Sequence, residues 1–214
     1  QEIGKEAAEV FAALLKGEVV EKSNLLLVAP KCLQNRVLDM IQEEIDQVKQ
    51  GNEGYIGIKI NSLTDKVIIN KLVEASQAGV KIEMVVRGIC CLIPGIEGYT
   101  ENIRVISIVG RYLEHSRIYI FGTPERDKMF ISSADFMTRN MVKRVEVATP
   151  IYDTAIKDRV RTMFGIMLHD TVKGRELCRD GNYYRREKPQ EESEVISSQA
   201  YFSNEAYLAA SKNV

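Results

Sequence analysis

Apolar residues recur along the chain with two different spacings, one typical of helices and one typical of strands. Spacings of three and four residues predict helices at residues 5–16, 34–50, 65–78 and 153–168. Alternating or short continuous apolar runs predict strands at residues 25–29, 55–60, 81–86, 103–109, 117–121, 128–132 and 144–149. We expect Pro150 to end the last strand and residues 171–178 and 183–186 to pair as a hairpin.

The order of these elements predicts the fold class and the domain organisation. Strands and helices alternate over residues 25–86, which favours an α/β fold with a mixed, mostly parallel sheet flanked by helices. We expect residues 1–22 to be a helical linker or the end of a preceding domain, residues 23–188 to form the main domain, and residues 189–214 to be an acidic tail. Within that tail, residues 200–210 could form a helix. The chain opens on Gln1 and enters a helix directly, so we expect a piece of a larger protein.

Charge is balanced over the whole chain but not along it. The formal net charge is −1, whereas residues 104–144 carry eight Lys or Arg against four Asp or Glu. A local basic patch on a near-neutral chain favours a confined anionic ligand over nucleic acid. No apolar run is long enough to cross a bilayer and no signal peptide opens the chain, so we expect a cytoplasmic protein. No CxxC, HExxH or carboxylate cluster is present, and no metal site built by the protein is predicted.

The candidate chemistry centres on His115, which stands two residues before Arg117. If both lie on a strand, they share a face, where the imidazole can attack or move a proton and the guanidinium can hold a phosphate through two contacts. Glu114 would then point to the opposite face. We therefore expect Asp135, or another group folded nearby, to be the better candidate for fixing the imidazole tautomer.

Other polar residues cluster at predicted strand ends, and each has an alternative interpretation. Arg87 ends a predicted parallel strand, the usual place for a ligand, or forms an ordinary surface ion pair. Arg144 either contacts phosphate or pairs with Glu146 along a strand. Four further side chains form a strand-to-turn cluster that could donate hydrogen bonds to phosphate oxygens: Ser132, Ser133, Asp135 and Asn140. Alternatively, Ser133 and Asp135 cap the turn at residues 136–140. Two more side chains, with weaker support, could line the same face: Lys59 and Asn61.

The same residues carry a family resemblance. His115-x-Arg117 followed by Ser132-Ser133-x-Asp135 resembles the His-x-Lys and Gly-Ser-x-Asn signature of the phospholipase D superfamily. Longer strings, at residues 86–121, 131–140 and 144–151, closely resemble the C-terminal catalytic region of the long, histidine-phosphorylated type of polyphosphate kinase. The resemblance covers about residues 25–176, and several linked motifs in the same order carry it.

This resemblance implies a phospholipase D-like half and a phosphotransferase. The family passes the terminal phosphate of ATP reversibly to inorganic polyphosphate, through a phosphohistidine on a half that would lie upstream of Gln1. By the resemblance, His115 contacts the phosphates and moves protons, Arg87 binds the nucleotide, and Arg144 lies near the transferred phosphate. Arg117 takes the lysine position of the superfamily motif, which favours phosphate clamping. Mg²⁺ would arrive with ATP. The resemblance further implies a homo-oligomer in the full-length protein, with peripheral membrane association in some members.

Two other functions compete with this one. The chain could be half of another phospholipase D-like phosphodiesterase or nuclease, or a non-catalytic phosphate-binding module. The second histidine, His169, lacks a following x-Lys or x-Arg and is predicted to be a surface or helix-capping residue. Only one half-site is therefore visible, and we expect the isolated chain to have little or no turnover.

Overall fold

One mixed sheet with helices on both faces accounts for most of the chain in the computed structural model, which describes residues 2–187, 189–191 and 195–211. The helices are α1 (Glu2–Leu15), α2 (Leu33–Lys49), α3 (Lys66–Gln77), α4 (Thr138–Val142), α5 (Thr154–Leu168) and α6 (Ser198–Ser211). The strands are β1 (Leu27–Val28), β2 (Tyr55–Ile60), β3 (Lys81–Val86), β4 (Ile103–Ile108), β5 (Ile118–Phe121), β6 (Lys128–Ser132), β7 (Val147–Ile151), β8 (Gly174–Leu177) and β9 (Tyr183–Arg185). None of these helices is both long and apolar enough to cross a lipid bilayer.

Local sequence signals account for most element boundaries. β2 and β3 begin and end where the apolar pattern predicts. The side chain of Asp65 accepts a hydrogen bond from the Ile68 amide at 3.0 Å and begins α3, and Asp153 does the same for Ile156 at the start of α5. Each bond satisfies an amide that the first helical turn leaves without a partner. The predicted terminal hairpin is present as β8 and β9.

The prediction of a mostly parallel sheet is wrong. The strand order is β1-β7-β6-β5-β2-β3-β4-β8-β9, and of the eight pairings among the described strands only β2 with β3 and β3 with β4 are parallel. The alternating strand and helix pattern ends at β3, and β4 pairs parallel to β3 after a connection of residues 87–102 that contains no helix. The strands β5, β6 and β7 then pair antiparallel, and six residues, 122–127, suffice to join β5 to β6.

Two predicted strands differ in their extent. Residues 109–117 form a loop and β5 starts only at Ile118, so strand alternation does not explain the relation of His115 to Arg117. β7 is shifted towards the C-terminus and contains Pro150, which we expected to end it. β1 pairs only with Val147 and Ala148 of β7, which leaves the edge of β7 open at the proline, and an open edge tolerates its missing N–H.

The core lies in two layers on either side of the sheet. Side chains of α2 and α3 pack against one face of β2, while Phe164 and Met167 of α5 pack against the other face of the sheet together with Phe202 of α6. Because Ile58 and Ile60 belong to the first layer, strand alternation directs Lys59 to the α5 face.

The topology gathers the predicted site residues at one edge of the sheet. The carboxyl ends of the parallel strands β2, β3 and β4 meet there. Because β5, β6 and β7 alternate in direction, the start of β5, the end of β6 and the start of β7 lie at the same edge. The loops at this edge contain residue 61, residue 87, residues 109–117, residues 133–136 and residues 143–146.

The segment predicted as an acidic tail contains α6, whose first residues, Ser198 and Gln199, are buried. Residues 1, 188, 192–194 and 212–214, which the domain and tail predictions include, lie outside the described residues.

Candidate functional site

Asp135 is the centre of a hydrogen-bonded network at this edge of the sheet. Its Oδ1 accepts from the Asn61 amide at 2.6 Å and from Arg117 Nε at 3.2 Å, and its Oδ2 accepts from Arg117 Nη2 at 2.9 Å. The guanidinium therefore holds the carboxylate through two contacts. Burial on its own raises the pKa of Asp135, but the hydrogen bonds from Arg117 and Asn61 outweigh it and lower the pKa below the usual range.

His115 joins this network through Arg117. Nη1 of Arg117 lies 3.1 Å from Nδ1 of His115 and donates to the carbonyl oxygen of the same residue at 2.9 Å. A guanidinium can only donate, so Nδ1 is the acceptor and the proton of the neutral ring is on Nε2. Arg117 is thus the group that orients the imidazole. Asp135 bonds Arg117 and not the ring, although we expected it to be the better candidate for fixing the tautomer. The His115 side chain is exposed.

Arg87 follows β3 as predicted and is tied to the same centre through Asn61. Its Nε donates to Oδ1 of Asn61 at 2.5 Å, and Nδ2 of Asn61 donates to Oδ1 of Asp135 at 3.0 Å. The next residue must be small, because a Cβ at Gly88 would lie 2.7 Å from the carbonyl oxygen of Asn61. Arg87 therefore bonds the side-chain amide of Asn61. The contacts of the described residues do not include the surface ion pair that was the alternative interpretation of Arg87.

A second arm of the network runs from Asp135 to Glu146. The Asp135 amide donates to Oδ1 of Asn140 at 3.2 Å, and Nδ2 of Asn140 donates to Oε1 of Glu146 at 2.8 Å. Ser133 Oγ donates to Oε2 of Glu146 at 2.5 Å. The alternative interpretation, in which Ser133 and Asp135 cap the turn at residues 136–140, is wrong. α4 begins after Met137, which makes no side-chain capping bond.

Arg144 lies at the outer end of this arm. Its Nη1 is 4.0 Å from Oε1 of Glu146 and its side chain is 57% exposed, so the ion pair is loose and the guanidinium faces solvent. Arg144 thus pairs with Glu146, as one of its two interpretations predicted. This loose pair leaves N–H donors of the guanidinium free to face a ligand.

Lys59 is the most buried charged group at the site, with its side chain 1% exposed. Its Nζ donates to the carbonyl oxygens of Glu114 at 3.2 Å and Ser116 at 2.9 Å, on either side of His115. Burial, together with the positive charges of Arg87 and Arg117, lowers the pKa of Lys59 to about 8, although Glu114 opposes the shift.

Sequence reasoning underestimated three members of the network. Lys59 and Asn61 had weak support, and Glu146 was considered only as a partner of Arg144. All three have in common a polar side chain at or beside the end of an apolar strand, a position at which several strands of one sheet can bring side chains together. His169 lies apart from them at the end of α5, where Nδ1 is 2.8 Å from the carbonyl oxygen of Gly165, in agreement with the predicted helix-capping role.

The arrangement combines one exposed imidazole with several guanidinium groups at a single edge. The network gives Arg117 and Arg87 fixed positions, while Arg144 and the Nε2 side of His115 remain accessible. Such a site can bind an anion through several donors, including Nε2–H of the neutral imidazole, and the imidazolium form of His115 can supply a proton there.

Comparison of the fold defines the class of protein first. Nuc from Salmonella typhimurium, a phospholipase D family member, superposes with a TM-score of 0.53 over 72% of this chain and 96% of that chain. The two sequences are 16% identical, so this likeness concerns the α/β fold alone. The fold is therefore phospholipase D-like.

The chain belongs to the family described as polyphosphate kinase C-terminal domain 2, which matches residues 26–199. The polyphosphate kinase of Bacillus cereus is 50% identical over 184 residues, which are 86% of this chain and 26% of that protein. The crystal structure of polyphosphate kinase from Porphyromonas gingivalis superposes with a TM-score of 0.86 at 35% identity and covers 96% of this chain and 31% of that chain. The chain thus spans less than a third of the length of each of these two polyphosphate kinases.

Proposed function

We propose that this chain is the C-terminal catalytic part of an ATP–polyphosphate phosphotransferase. The full-length enzyme transfers the terminal phosphate of ATP reversibly to inorganic polyphosphate, through a phosphohistidine on a second half that the chain does not contain. ATP or ADP, polyphosphate and that second half are the partners of the site. The proposal rests on membership of the family and on the composition of the cluster at the edge of the sheet.

The observation that carries the proposal is that one network joins three guanidinium groups to an exposed imidazole. Arg117 contacts His115 directly, whereas Arg87 joins the network through Asn61 and Arg144 through Glu146. Phosphoryl transfer requires mainly that the reactants are positioned and that developing negative charge is neutralised. Arginine suits this role because it is always charged and offers donors in a fixed planar geometry. We assign Arg87 to the nucleotide phosphates and Arg144 to the transferred phosphate.

His115 has a different task from the histidine that becomes phosphorylated. With Nδ1 accepting from Arg117, the Nε2 proton is available to a phosphate oxygen on the open side of the site. The neutral imidazole donates this N–H as a hydrogen bond to the phosphate oxygen. It transfers a proton only from its imidazolium form, in which Nδ1 carries a second proton in place of the contact with Arg117; the transfer leaves the neutral ring, and the reverse reaction returns the proton to Nε2. Arg117 orients the ring and Asp135 holds Arg117 in place.

Further features of the full-length enzyme belong to the same proposal. Mg²⁺ is expected to enter bound to ATP, where it neutralises phosphate charge. Among the described residues, no group of three or more His, Cys, Asp or Glu side chains could hold a metal ion. We propose a cytoplasmic, homo-oligomeric enzyme that associates peripherally with the membrane where the family does so.

The test is polyphosphate synthesis from radiolabelled ATP by the full-length protein carrying His115→Ala. We expect chain growth to fall by at least about 100-fold, because the substitution removes the general acid and base. His169→Ala is the matched control, since this histidine caps α5 away from the site, and it should retain synthesis.

Normal chain growth by His115→Ala would remove His115 from the mechanism. Cleavage of a phosphodiester substrate without polyphosphate synthesis would instead favour the phospholipase D-like hydrolase. Binding of polyphosphate with neither activity would favour the phosphate-binding module.

A further inference from the structure

The loop that carries His115 is held from inside the domain by a buried lysine. Lys59 reaches from the end of β2 to the carbonyl oxygens of Glu114 and Ser116, which flank His115 in the chain. A buried ammonium group is costly unless its protons are bonded, and here two backbone carbonyls and the Glu114 carboxylate, 4.0 Å away, surround it. The position of the backbone at His115 therefore depends on Lys59.

The same loop is also held by Gln199 of α6. Oε1 of Gln199 accepts from the Tyr112 amide at 3.0 Å, and Nε2 donates to the Tyr112 carbonyl oxygen at 2.8 Å and to Oε1 of Glu114 at 3.1 Å. The contact is close, because a Cβ at Gly110 would lie 2.4 Å from Oε1 of Gln199. One primary amide thus bonds both polar groups of the Tyr112 backbone and the side chain next to His115.

The start of α6 is itself anchored, so Gln199 is not a free surface residue. Ser198, its neighbour, donates to Oδ2 of Asp170 from its amide at 2.8 Å and from Oγ at 2.6 Å. Ser198 and Asp170 are both fully buried, and Gln199 is only 7% exposed. Phe202, one turn further along α6, packs on the layer of apolar side chains around α5.

We propose that Lys59 and Gln199 are positioning residues that together hold the His115 loop, as a clamp on residues 110–116. Gln199 thereby connects α6 to the site, although Gln199 lies more than 80 residues after Tyr112 in the chain. Neither side chain touches the substrate in this proposal; both act by placing His115 where the transferred phosphate arrives. The catalytic consequence rests on the function proposed above, whereas the effect on the loop does not.

The primary test replaces Gln199 by Ala in the full-length protein and follows amide hydrogen exchange. We expect exchange of the amides of residues 110–116 to become about 10-fold faster, because several hydrogen bonds to this loop are lost together. Exchange in β2 and β3 should stay as in the wild type, which distinguishes release of the loop from global destabilisation. Asn204→Ala, an amide truncation at an exposed position of the same helix, is the control and should change neither region.

The second measurement is the kinetics of polyphosphate synthesis. For Gln199→Ala we expect kcat to fall by roughly 10- to 100-fold, the cost of misplacing a reacting group, while the KM for ATP changes by no more than about 2-fold. Lys59→Met should have the same signature. That substitution also alters a buried site, so its kinetic result is used only if the cooperative unfolding transition is unchanged. The result for Gln199→Ala decides the test even without Lys59→Met.

The outcomes separate the two proposals. If the wild type makes no polyphosphate but Gln199→Ala still accelerates exchange in the loop, the proposed function fails and the clamp stands. If the wild type is active and Gln199→Ala matches Asn204→Ala in exchange and in kcat, the clamp is overturned. Faster exchange with an unchanged kcat would equally overturn the positioning role.

Discussion

At the scale of single residues, one carboxylate organises the candidate site. Asp135 bonds Arg117 through two contacts and also receives the amide and the side-chain nitrogen of Asn61, which in turn holds Arg87. Two of the predicted phosphate-binding arginines thus depend on a group that we expected to contact His115. The residue types were recognisable from the sequence, but the order of contacts between them was not.

Replacement of Asp135 by Ala is expected to destabilise the chain. The side chains of Asp135 and Arg117 are only 10% and 12% exposed, and removal of one partner leaves a nearly buried guanidinium unpaired. We expect the free energy of unfolding to fall by about 3 kcal/mol, measured by urea denaturation.

The control for Asp135→Ala is Asp158→Ala, which removes a carboxylate that is 74% exposed and pairs with Arg161 on the helix surface. An exposed pair of this kind contributes less than about 1 kcal/mol. Equal losses in the two variants would mean that Asp135 does not hold the site together.

At the scale of elements, the position of α6 depends on one buried carboxylate at the end of α5. Oδ1 of Asp170 accepts from the amides of Val172, Lys173 and Gly174, and Oδ2 accepts from Ser198. Burial by itself raises the pKa of Asp170, but the hydrogen bonds from Ser198 and from the backbone outweigh it and lower the pKa below the usual range. Docking of α6 is therefore linked to ionisation of Asp170.

The sign of this linkage predicts loss of docking in acid. A carboxylate whose pKa is lower in the folded state contributes stability above its unfolded pKa of about 4, and the contribution is lost as the pH falls through the folded value. We expect amide exchange in α6 to accelerate, relative to β2, when the pH is lowered from 5 to 3.

Asp170→Asn should have this defect already at pH 7, with a loss of about 2 kcal/mol in the free energy of unfolding. It should also weaken the dependence of α6 exchange on pH. Asp39→Asn, on the exposed side of α2, serves as the control and should leave that dependence as in the wild type. An α6 that stays equally protected in Asp170→Asn at pH 7 would contradict the linkage.

At the scale of the whole molecule, the proposed function makes this chain one side of a site. Its matched relatives are much longer, since the chain covers 26% of the Bacillus cereus protein and 31% of the Porphyromonas gingivalis chain. Exposed groups at the edge of the sheet, His115 and Arg144 among them, face away from the core. In the proposed function, the phosphohistidine approaches from that direction.

Residues 1–214 alone are therefore expected to make no detectable polyphosphate from radiolabelled ATP, because the proposed function places the group that becomes phosphorylated on the second half. The full-length enzyme, assayed in parallel, should make it. Robust synthesis by residues 1–214 would show that the second half is dispensable. Acid-labile label on the isolated chain would reassign phosphorylation to one of its own histidines.

The sequence alone determined most individual elements and the identity of most candidate residues. Apolar periodicity and capping residues act over a few neighbouring positions, so β2, β3 and the starts of α3 and α5 could be predicted from local patterns. The motif around His115 and Arg117 was likewise visible as a string. These features do not depend on how distant segments pair.

Only the tertiary structure decided strand direction, the shape of the His115 loop and the partners of each charge. Pairing of β5 with β2 brings segments about 60 residues apart into register, and no local pattern records its antiparallel direction. Asn61 and Asp135 are 74 positions apart, and Gln199 and Tyr112 are 87 apart, yet each pair is within hydrogen-bond distance. Such contacts exist because the sheet and the docked α6 fold distant polar groups onto one edge, where burial forces them to bond with one another.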